Sequence, residues 1–161
     1  MIIGTGVDIV EIKRFKNMQE KTRFMQRVFS VREQDYLAGK DIQSMAGLFA
    51  VKEAVAKALG TGFRGFFPCD IEILHDKNGR PIVRLHGRAK ATANKLAAPL
   101  PGGIRSNSRC CCGTCGRTLL KKDDHARSPS YSIHISISHN QTDAIAFAVL
   151  YGVGGFRFKT M

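Results

Sequence analysis

Apolar residues recur at helical spacing in the middle of the chain, between residues 44 and 59. They form a single stripe made of Leu48, Val51, Val55, Ala58 and Leu59. Gly60 follows this stripe, where the C-terminus of a helix is expected. Glu53 and Lys57 are four residues apart and share another face, a spacing that is also typical of a solvated ion pair. The pattern predicts an amphipathic helix over Ser44–Leu59, around which we expect the chain to be organised.

The N-terminal pattern predicts a strand followed by two helices. Residues 2–10 form an apolar, β-branched run that indicates a buried strand, and residues 11–27 show helical spacing. The inward side of that helix would carry Ile12, Phe15, Met18 and Met25. The other side is basic, with Lys13, Arg14, Lys16, Lys21, Arg23 and Arg27. Ser30 and Glu33 have the spacing of a capping box, which predicts a short helix that runs to Ala38 and ends at Gly39.

Two hairpins and a further helix are predicted in the remaining ordered segments. Residues 70–75 and 81–86 alternate like strands around Asn78-Gly79, a strong signal for a hairpin turn. A helix should occupy residues 87–96. Residues 132–139 and 143–151 alternate again and predict a terminal hairpin. We therefore expect an α+β fold, in which an antiparallel-rich sheet formed by the first strand and both hairpins packs against the long central helix.

Residues 97–131 break this pattern, because they are rich in Gly, Pro, Ser and basic residues and poor in apolar ones. We interpret them as an insertion, mostly disordered, within a single domain that spans residues 1–151; residues 152–161 form a loose tail. Four of the five cysteines lie in the insertion. Cys112 and Cys115 form a C-x-x-C motif followed by His125, but the spacing matches no standard zinc finger. Exposed thiols are favoured over a zinc site.

The charge balance indicates which class of partner the protein binds. The chain has 161 residues and a formal net charge of +12. This excess of basic residues predicts an anionic partner, such as nucleic acid, an anionic membrane, a phosphorylated metabolite or an acidic protein. The chain contains no run of eighteen apolar residues and no recognisable signal peptide. We therefore expect no membrane insertion and, by default, a cytoplasmic location.

The chemistry suggested by the sequence centres on two carboxylates. Asp8 interrupts the first apolar run, and an acid there must be exposed at a strand end, paired, or bound to a cation, because burying a bare carboxylate is costly. Together with Glu53, it would offer two hard oxygen ligands. Magnesium commonly binds one or two carboxylates and completes its coordination with water and phosphate oxygens. Lys57 would then be placed to hold a phosphate.

Residues 4–12 and 49–62 resemble the holo-acyl-carrier-protein synthase family of small phosphopantetheinyl transferases. The resemblance extends to residues 70–89 and 133–150 and covers most of residues 1–96 and 132–151. It implies transfer of the 4'-phosphopantetheine arm of coenzyme A to a serine of apo-acyl carrier protein, as required in fatty acid biosynthesis. The other product would be adenosine 3',5'-bisphosphate. The nucleophile belongs to the partner, so no catalytic serine or cysteine is needed in this chain.

The resemblance also implies roles for individual residues. Asp8 and Glu53 would bind Mg²⁺, and Lys57 would stabilise or protonate the leaving phosphate. The expected coenzyme A contacts are Lys52, Gly60, Thr61 and Gly62. His139 is either a further residue of the coenzyme A site or an exposed turn histidine. The general base stays open among Glu53, a water on the metal and His139. Leu48 stands where the family usually has an arginine.

The partners implied are coenzyme A, an acidic carrier protein and further copies of this chain in a homotrimer. Arg14 and Arg23 are the preferred docking contacts for the carrier protein, although a basic helix face is also typical of a solvated surface. Two alternatives remain: a basic nucleic-acid-binding module, and an inactive paralogue that only binds carrier protein. A nucleic-acid partner is disfavoured, because the aromatic residues do not interleave with the basic ones and the two carboxylates would have no role.

Overall fold

The computed structural model describes residues 1–16, 22–98 and 131–152. It contains four helices and five strands in these ranges. The helices are α1 (Thr22–Val28), α2 (Val31–Leu37), α3 (Ile42–Ala58) and α4 (Gly87–Ala97). The strands are β1 (Ile2–Glu11), β2 (Ile71–His75), β3 (Pro81–Leu85), β4 (Tyr131–His139) and β5 (Asp143–Gly152). Two short 3₁₀ turns occur at Ile12–Phe15 and Pro68–Asp70.

The strands form two separate antiparallel sheets. β1, β5 and β4 lie side by side in that order, with Asp8 opposite Ala146 and Ala146 opposite Ile137. Among the described residues, β2 and β3 pair only with each other. The α+β prediction is confirmed, but the expectation of one sheet that includes the Asn78-Gly79 hairpin is wrong. Alternation of side chains identifies strands, whereas the neighbour of a strand depends on tertiary packing.

α3 crosses the inner face of the three-stranded sheet. Its first half lies over β4, where a Cβ at Gly47 would be 3.3 Å from Ile137. Its last turns lie over β1, close to Gly4 and Gly6. Three of the four buried residues of β5 are small, namely Ala144, Ala146 and Ala148, and the fourth is Leu150. Small residues on both surfaces therefore bring the helix unusually near to the sheet.

The prediction that α3 is amphipathic is wrong, because the helix is buried on nearly every side. Buried positions include Ala46, Ala50, Ala54 and Ala56 as well as the predicted apolar residues, and only Lys57 within the helix is exposed. α3 also begins earlier than predicted, since the side chain of Asp41 accepts a hydrogen bond from the Ser44 amide and caps the helix. A helix enclosed by a sheet, two helices and a hairpin needs no polar face.

Several local predictions are confirmed. Ser30 and Glu33 form the capping box at the start of α2, and Gly39 follows that helix with φ of +79°. Gly79 forms the turn between β2 and β3, also with φ of +79°. The isoleucines of β4 alternate with exposed residues, as predicted. Each of these features depends on residues that are close together in the sequence.

The N-terminal prediction needs two corrections. β1 is half-buried, not buried, because Val7 and Ile9 are exposed on its outer face. The predicted helix over residues 11–27 does not begin as one: Glu11 ends the strand and a 3₁₀ turn follows, whereas Thr22–Val28 is helical and forms α1. Residues 17–21, including Met18 and Lys21 of that prediction, lie outside the described residues.

The proposed bounds of the insertion, residues 97–131, overlap regular elements at both ends, while the insertion itself stays a prediction. Ala97 belongs to α4 and Tyr131 to β4, whereas residues 99–130 lie outside the described part of the chain, together with Cys112, Cys115 and His125. Gly152 of the predicted tail belongs to β5, and residues 153–161 are also outside it. Within the described ranges, no helix has both the length and the apolar character needed to cross a membrane.

Candidate active site

Asp8 and Lys57 meet at the open end of the helix–sheet layer. The Lys57 ammonium donates a 2.7 Å hydrogen bond to Asp8 Oδ1 and a 2.9 Å hydrogen bond to the carbonyl oxygen of Val7. Strand alternation places Asp8 on the same face as Gly6, towards α3. The Asp8 side chain is 15% exposed and that of Lys57 is 48% exposed. The pair is therefore sheltered on the carboxylate side and open to solvent on the ammonium side.

Two glycines make this meeting possible. A Cβ at Gly4 would lie 2.1 Å from the carbonyl oxygen of Ala58, and a Cβ at Gly6 would lie 2.0 Å from that of Ala54. Both distances are far shorter than any real contact, so no other residue fits without moving the helix. The glycines bring the backbone of α3 directly onto β1. This close approach positions the last turn of the helix beside Asp8.

Glu53 lies one turn before Lys57 on α3 and belongs to the same cluster. Burial raises the pKa of the Glu53 carboxyl, the negative charge of Asp8 raises it further, and the ammonium of Lys57 acts in the opposite direction. The two carboxylates therefore repel each other in a partly buried environment. One lysine offsets only one of the two negative charges.

The donor set of this cluster fits a magnesium ion. Two carboxylates that repel each other would both be stabilised by a divalent cation, and magnesium needs only one or two such ligands. No group of three or more histidine, cysteine or carboxylate side chains is arranged for a metal in residues 1–16, 22–98 and 131–152. A cation at Asp8 and Glu53 would accordingly take most of its coordination from water and from substrate.

Lys52 is adjacent to Glu53 in the sequence but is located in the core. Its ammonium donates to Glu33 Oε2 at 2.8 Å and to the carbonyl oxygens of Pro68 and Ile71, and its side chain has no exposed surface. Burial lowers the pKa of Lys52, and the charge of Glu33 opposes this shift. The prediction that Lys52 contacts coenzyme A is therefore corrected, since no phosphate can reach an enclosed and fully hydrogen-bonded ammonium.

Residues 60–62 form the turn that ends α3. Gly60 and Gly62 have φ of +75° and +56°. Their amides donate to the carbonyl oxygens of Lys57 at 2.9 Å and Ala56 at 3.1 Å, and the Thr61 hydroxyl donates to Gly62 O at 3.0 Å. These two amides are engaged with the helix end, so the argument that they are free to bind a phosphate does not hold here. Contact of this turn with coenzyme A stays a prediction.

His139 does not join the carboxylate cluster within one chain. It ends β4 and lies on the row of the sheet that contains Ala144 and Val10. Strand spacing and rise put its backbone about 12 Å from that of Asp8. Its side chain lines a cavity of about 130 Å³, together with Tyr36, Gln43, Ser44, Gly47, Leu48, His75 and Ile137. Leu48, in the position where an arginine was expected, is thus a neighbour of His139.

Arg14 and Arg23 are both exposed, the first in the 3₁₀ turn after β1 and the second on α1. Arg23 also lines a groove of about 710 Å³ between α1 and the loop before β2. The other lining residues are Thr22, Phe24, Arg27, Val28, Phe67 and Pro68. The sequence analysis missed this groove, because Phe67 lies far from α1 in the chain and no local pattern links them.

The sequence analysis also missed two features that position the site, namely the glycines of β1 and the Lys52–Glu33 pair. Glycine inside a strand can indicate close approach of another backbone, so Gly4 and Gly6 did carry a usable signal. The partner of Lys52, in contrast, is nineteen residues away. Nothing in the local pattern separates a buried lysine from the exposed one at position 57.

Comparison with known proteins shows the family to which this chain is related. The model of the 4'-phosphopantetheinyl transferase superfamily matches residues 4–105, which include Asp8, Glu53 and Lys57. The chain belongs to this superfamily. A holo-[acyl-carrier-protein] synthase of Clostridium perfringens is 41% identical over 155 residues, covering 94% of this chain and 96% of that protein. The family prediction is confirmed.

Solved structures agree with this assignment. A holo-(acyl-carrier-protein) synthase of Bacillus anthracis, crystallised in complex with CoA (3',5'-ADP), has a TM-score of 0.61 and 28% identity, and the match covers 93% of this chain and 96% of that one. The holo-[acyl-carrier-protein] synthase of Neisseria meningitidis has a TM-score of 0.66 and 27% identity, with coverage of 94% and 99%. The fold of the superfamily members is therefore that of this chain.

Proposed function

We propose that this protein is a holo-[acyl-carrier-protein] synthase. It transfers 4'-phosphopantetheine from coenzyme A to a serine hydroxyl of apo-acyl carrier protein. The serine oxygen forms a bond to the phosphorus that carries the pantetheine, the bond to the leaving phosphate breaks, and the serine proton is lost to a base. The observation that carries the proposal is the Asp8–Glu53–Lys57 cluster, found in a member of this superfamily.

Asp8 and Glu53 are the proposed magnesium ligands. A magnesium ion held there would offset the charge of the pyrophosphate and lower the barrier to attack by an oxygen nucleophile. The ammonium of Lys57 now pairs with Asp8, and its solvent-facing side leaves it able to contact a phosphate oxygen. We assign Lys57 to the leaving phosphate, which it stabilises as negative charge develops.

Three groups are candidates for the base that receives the serine proton: Glu53, His139 and a water on the metal. Glu53 has a pKa raised by burial and by Asp8, which favours proton uptake, but its role as a metal ligand opposes this. His139 is the other candidate, since histidine is the side chain that most often serves as a general base. The turn at Gly60, Thr61 and Gly62 follows Lys57 directly, and we retain it as a coenzyme A contact.

We propose that the active enzyme is a homotrimer whose sites are shared between subunits. A site that uses both His139 and the carboxylate cluster is best formed with a second copy of the chain, because the backbones of His139 and Asp8 are about 12 Å apart within one copy. The outer face of the three-stranded sheet supports such contacts. Val7, Ile9, Ile145 and Phe147 lie together there with exposures of 42–63%, and contact between copies would bury them.

The carrier protein docks, in this proposal, on the surface formed by Arg14, Arg23 and the groove beside α1. The net charge of +12 favours an acidic partner over a nucleic acid in a member of this superfamily. The groove adds apolar area from Phe24 and Phe67, flanked by Arg23 and Arg27. A surface that combines both properties suits an acidic amphipathic helix. The cytoplasmic location and the role in fatty acid biosynthesis are part of the same proposal and rest on the resemblance.

The test is the mass of apo-acyl carrier protein after incubation with this protein, coenzyme A and Mg²⁺. The carrier should gain the mass of one phosphopantetheine group, and the gain should disappear with excess chelator and return with added Mg²⁺. An unchanged carrier mass that coincides with measurable carrier binding would identify an inactive, carrier-binding paralogue. No reaction and no carrier binding would reject the proposal.

A further inference from the structure

A buried polar network surrounds Lys52, a residue that the proposed reaction does not use. Its ammonium and the Glu33 carboxylate are 2.8 Å apart, and neither side chain has exposed surface. Glu33 also accepts hydrogen bonds from the amides of Ser30 at 2.7 Å and Ile73 at 2.8 Å. Lys52 donates further to the Pro68 and Ile71 carbonyl oxygens. The ammonium and the carboxylate therefore both have hydrogen-bond partners on several structural elements.

The network joins the two surfaces on which the proposed reaction depends. Lys52 directly precedes Glu53 on α3, so its anchoring restrains the helix turn that carries this carboxylate. Pro68, one of its acceptors, forms a wall of the groove together with Phe67. The Phe67 residue is 66% exposed. Its backbone is held by the Asp70 amide at 2.9 Å and, through Pro68, by Lys52.

α3 packs through buried apolar side chains that include Met45, Val51 and Val55, as well as through its close approach to β1. The hydrophobic part of this packing is not directional. A buried ion pair adds little stability compared with an apolar pair of the same size, but it is satisfied in only one arrangement. Its contribution is therefore to geometry: the pair selects one rotation of α3 relative to α2 and the start of β2.

We propose that Lys52 is a positioning residue that couples the Phe67–Pro68 wall of the groove to the helix turn carrying Glu53. The catalytic consequence rests on the proposed function, whereas the mechanical coupling does not. In this arrangement, the groove wall and Glu53 are held at a fixed separation. A carrier protein seated on the wall thereby presents its serine at a constant distance from the carboxylate cluster.

The test compares Lys52→Met with Leu37→Ala in the full chain. Leu37 is a buried residue of α2 whose truncation leaves a cavity but keeps the ion pair, so it controls for general destabilisation. Native-state hydrogen exchange is measured for the amides of Asp70, beside the groove wall, and Lys57, beside Glu53. Glu33→Gln serves as a milder variant in case Lys52→Met does not fold, because it removes the charge and keeps an acceptor.

We expect both amides to exchange about tenfold faster in Lys52→Met than in Leu37→Ala at equal distance from the melting temperature. In the transfer reaction, kcat should fall and KM for carrier protein should rise by about tenfold each, with KM for coenzyme A nearly unchanged. Glu33→Gln should give the same pattern at smaller amplitude.

Faster exchange at only one amide, or at neither beyond the Leu37→Ala control, would overturn the coupling. Kinetic changes equal to those of Leu37→Ala would also overturn it, since a purely structural role predicts that equality. If the wild-type protein transfers nothing, the proposed function fails. The exchange measurement still decides whether the two segments are coupled.

Discussion

Gly6 of β1 lies directly against the Ala54 carbonyl oxygen of α3, so closely that a Cβ at residue 6 would be 2.0 Å from that oxygen. Gly4 has the same relationship with Ala58. The two glycines determine how far Asp8 lies from the last turns of α3. The geometry of the Asp8–Glu53–Lys57 cluster is thus set by residues that have no functional groups of their own.

Gly6→Ala is expected to destabilise the protein by about 1–3 kcal/mol and to lower transfer more than this loss explains. The added methyl group pushes β1 away from α3, which separates Asp8 from Glu53 and Lys57. Thermal unfolding and turnover at saturating Mg²⁺ measure the two effects. Gly79→Ala, strained in a distant turn with φ of +79°, is the control and should lose stability but keep activity. Normal turnover of a folded Gly6→Ala protein would show that the spacing is not critical.

Glu53→Gln should lower kcat about a hundredfold or more and leave the melting temperature nearly unchanged or raised. The amide cannot supply a charged metal ligand, while the substitution removes a partly buried charge next to Asp8. Turnover is measured across a range of Mg²⁺ concentrations. Glu11→Gln, which removes an exposed carboxylate paired with Lys13, is the matched control and should behave like wild type. Full activity of Glu53→Gln at low Mg²⁺ would contradict the metal assignment.

Mixing chains that carry Glu53→Gln with chains that carry His139→Ala should restore transfer. In a shared site, one subunit supplies the carboxylate cluster and its neighbour supplies His139. After equal mixing and reassembly, about a quarter of the sites combine intact contributions from both. Each variant alone, and a mixture with the double variant, provides the baseline. No recovery above that baseline, or full activity of His139→Ala by itself, is the result that this arrangement cannot accommodate.

Charge reversal at Arg14 and Arg23 should raise KM for carrier protein by about tenfold or more and reduce its dependence on salt. Both residues are exposed, so little stability should be lost. Initial rates at varied carrier concentration and ionic strength measure the effect. Arg80→Glu, an exposed reversal in the β2–β3 turn, is the control for net charge. If KM for coenzyme A changes and that for carrier protein does not, this surface belongs to the nucleotide.

Stability should fall at acid pH through Glu72. Burial alone would raise the pKa of this carboxyl, but hydrogen bonds from Ser30 at 2.9 Å and His86 at 3.1 Å outweigh it and lower the pKa below its ordinary 4.5. A lowered pKa stabilises the fold above about pH 4.5, and this contribution is lost as the pH falls through the folded-state pKa. Melting temperatures measured from pH 7 to pH 3 should therefore differ most between wild type and Glu72→Gln at the neutral end.

The matched control for that comparison is Asp35→Asn, which changes an exposed carboxylate of α2. Its melting temperature should stay parallel to that of wild type. A difference between wild type and Glu72→Gln that stays constant down to pH 3 would mean that the hydrogen bonds do not depend on ionisation of Glu72.

The sequence by itself determined several local elements and indicated the residues of the candidate site. The capping box of Ser30 and Glu33, the Gly79 turn and the alternation in β4 follow from interactions between near neighbours, which a local pattern records. Asp8, Glu53 and Lys57 were predicted because their residue types suit a phosphate and a divalent cation, and their resemblance to one family is specific.

Only the tertiary structure decided which of the adjacent residues Lys52 and Glu53 faces the core. Helical spacing predicts neighbours on one helix, whereas burial depends on what packs around it, and α3 is covered on nearly every side. Three further features depend on residues that are distant in the chain. They are the Lys52–Glu33 pair, the groove between α1 and Phe67, and the distance between His139 and Asp8. Such contacts arise from the packing of whole elements, so no local pattern contains them.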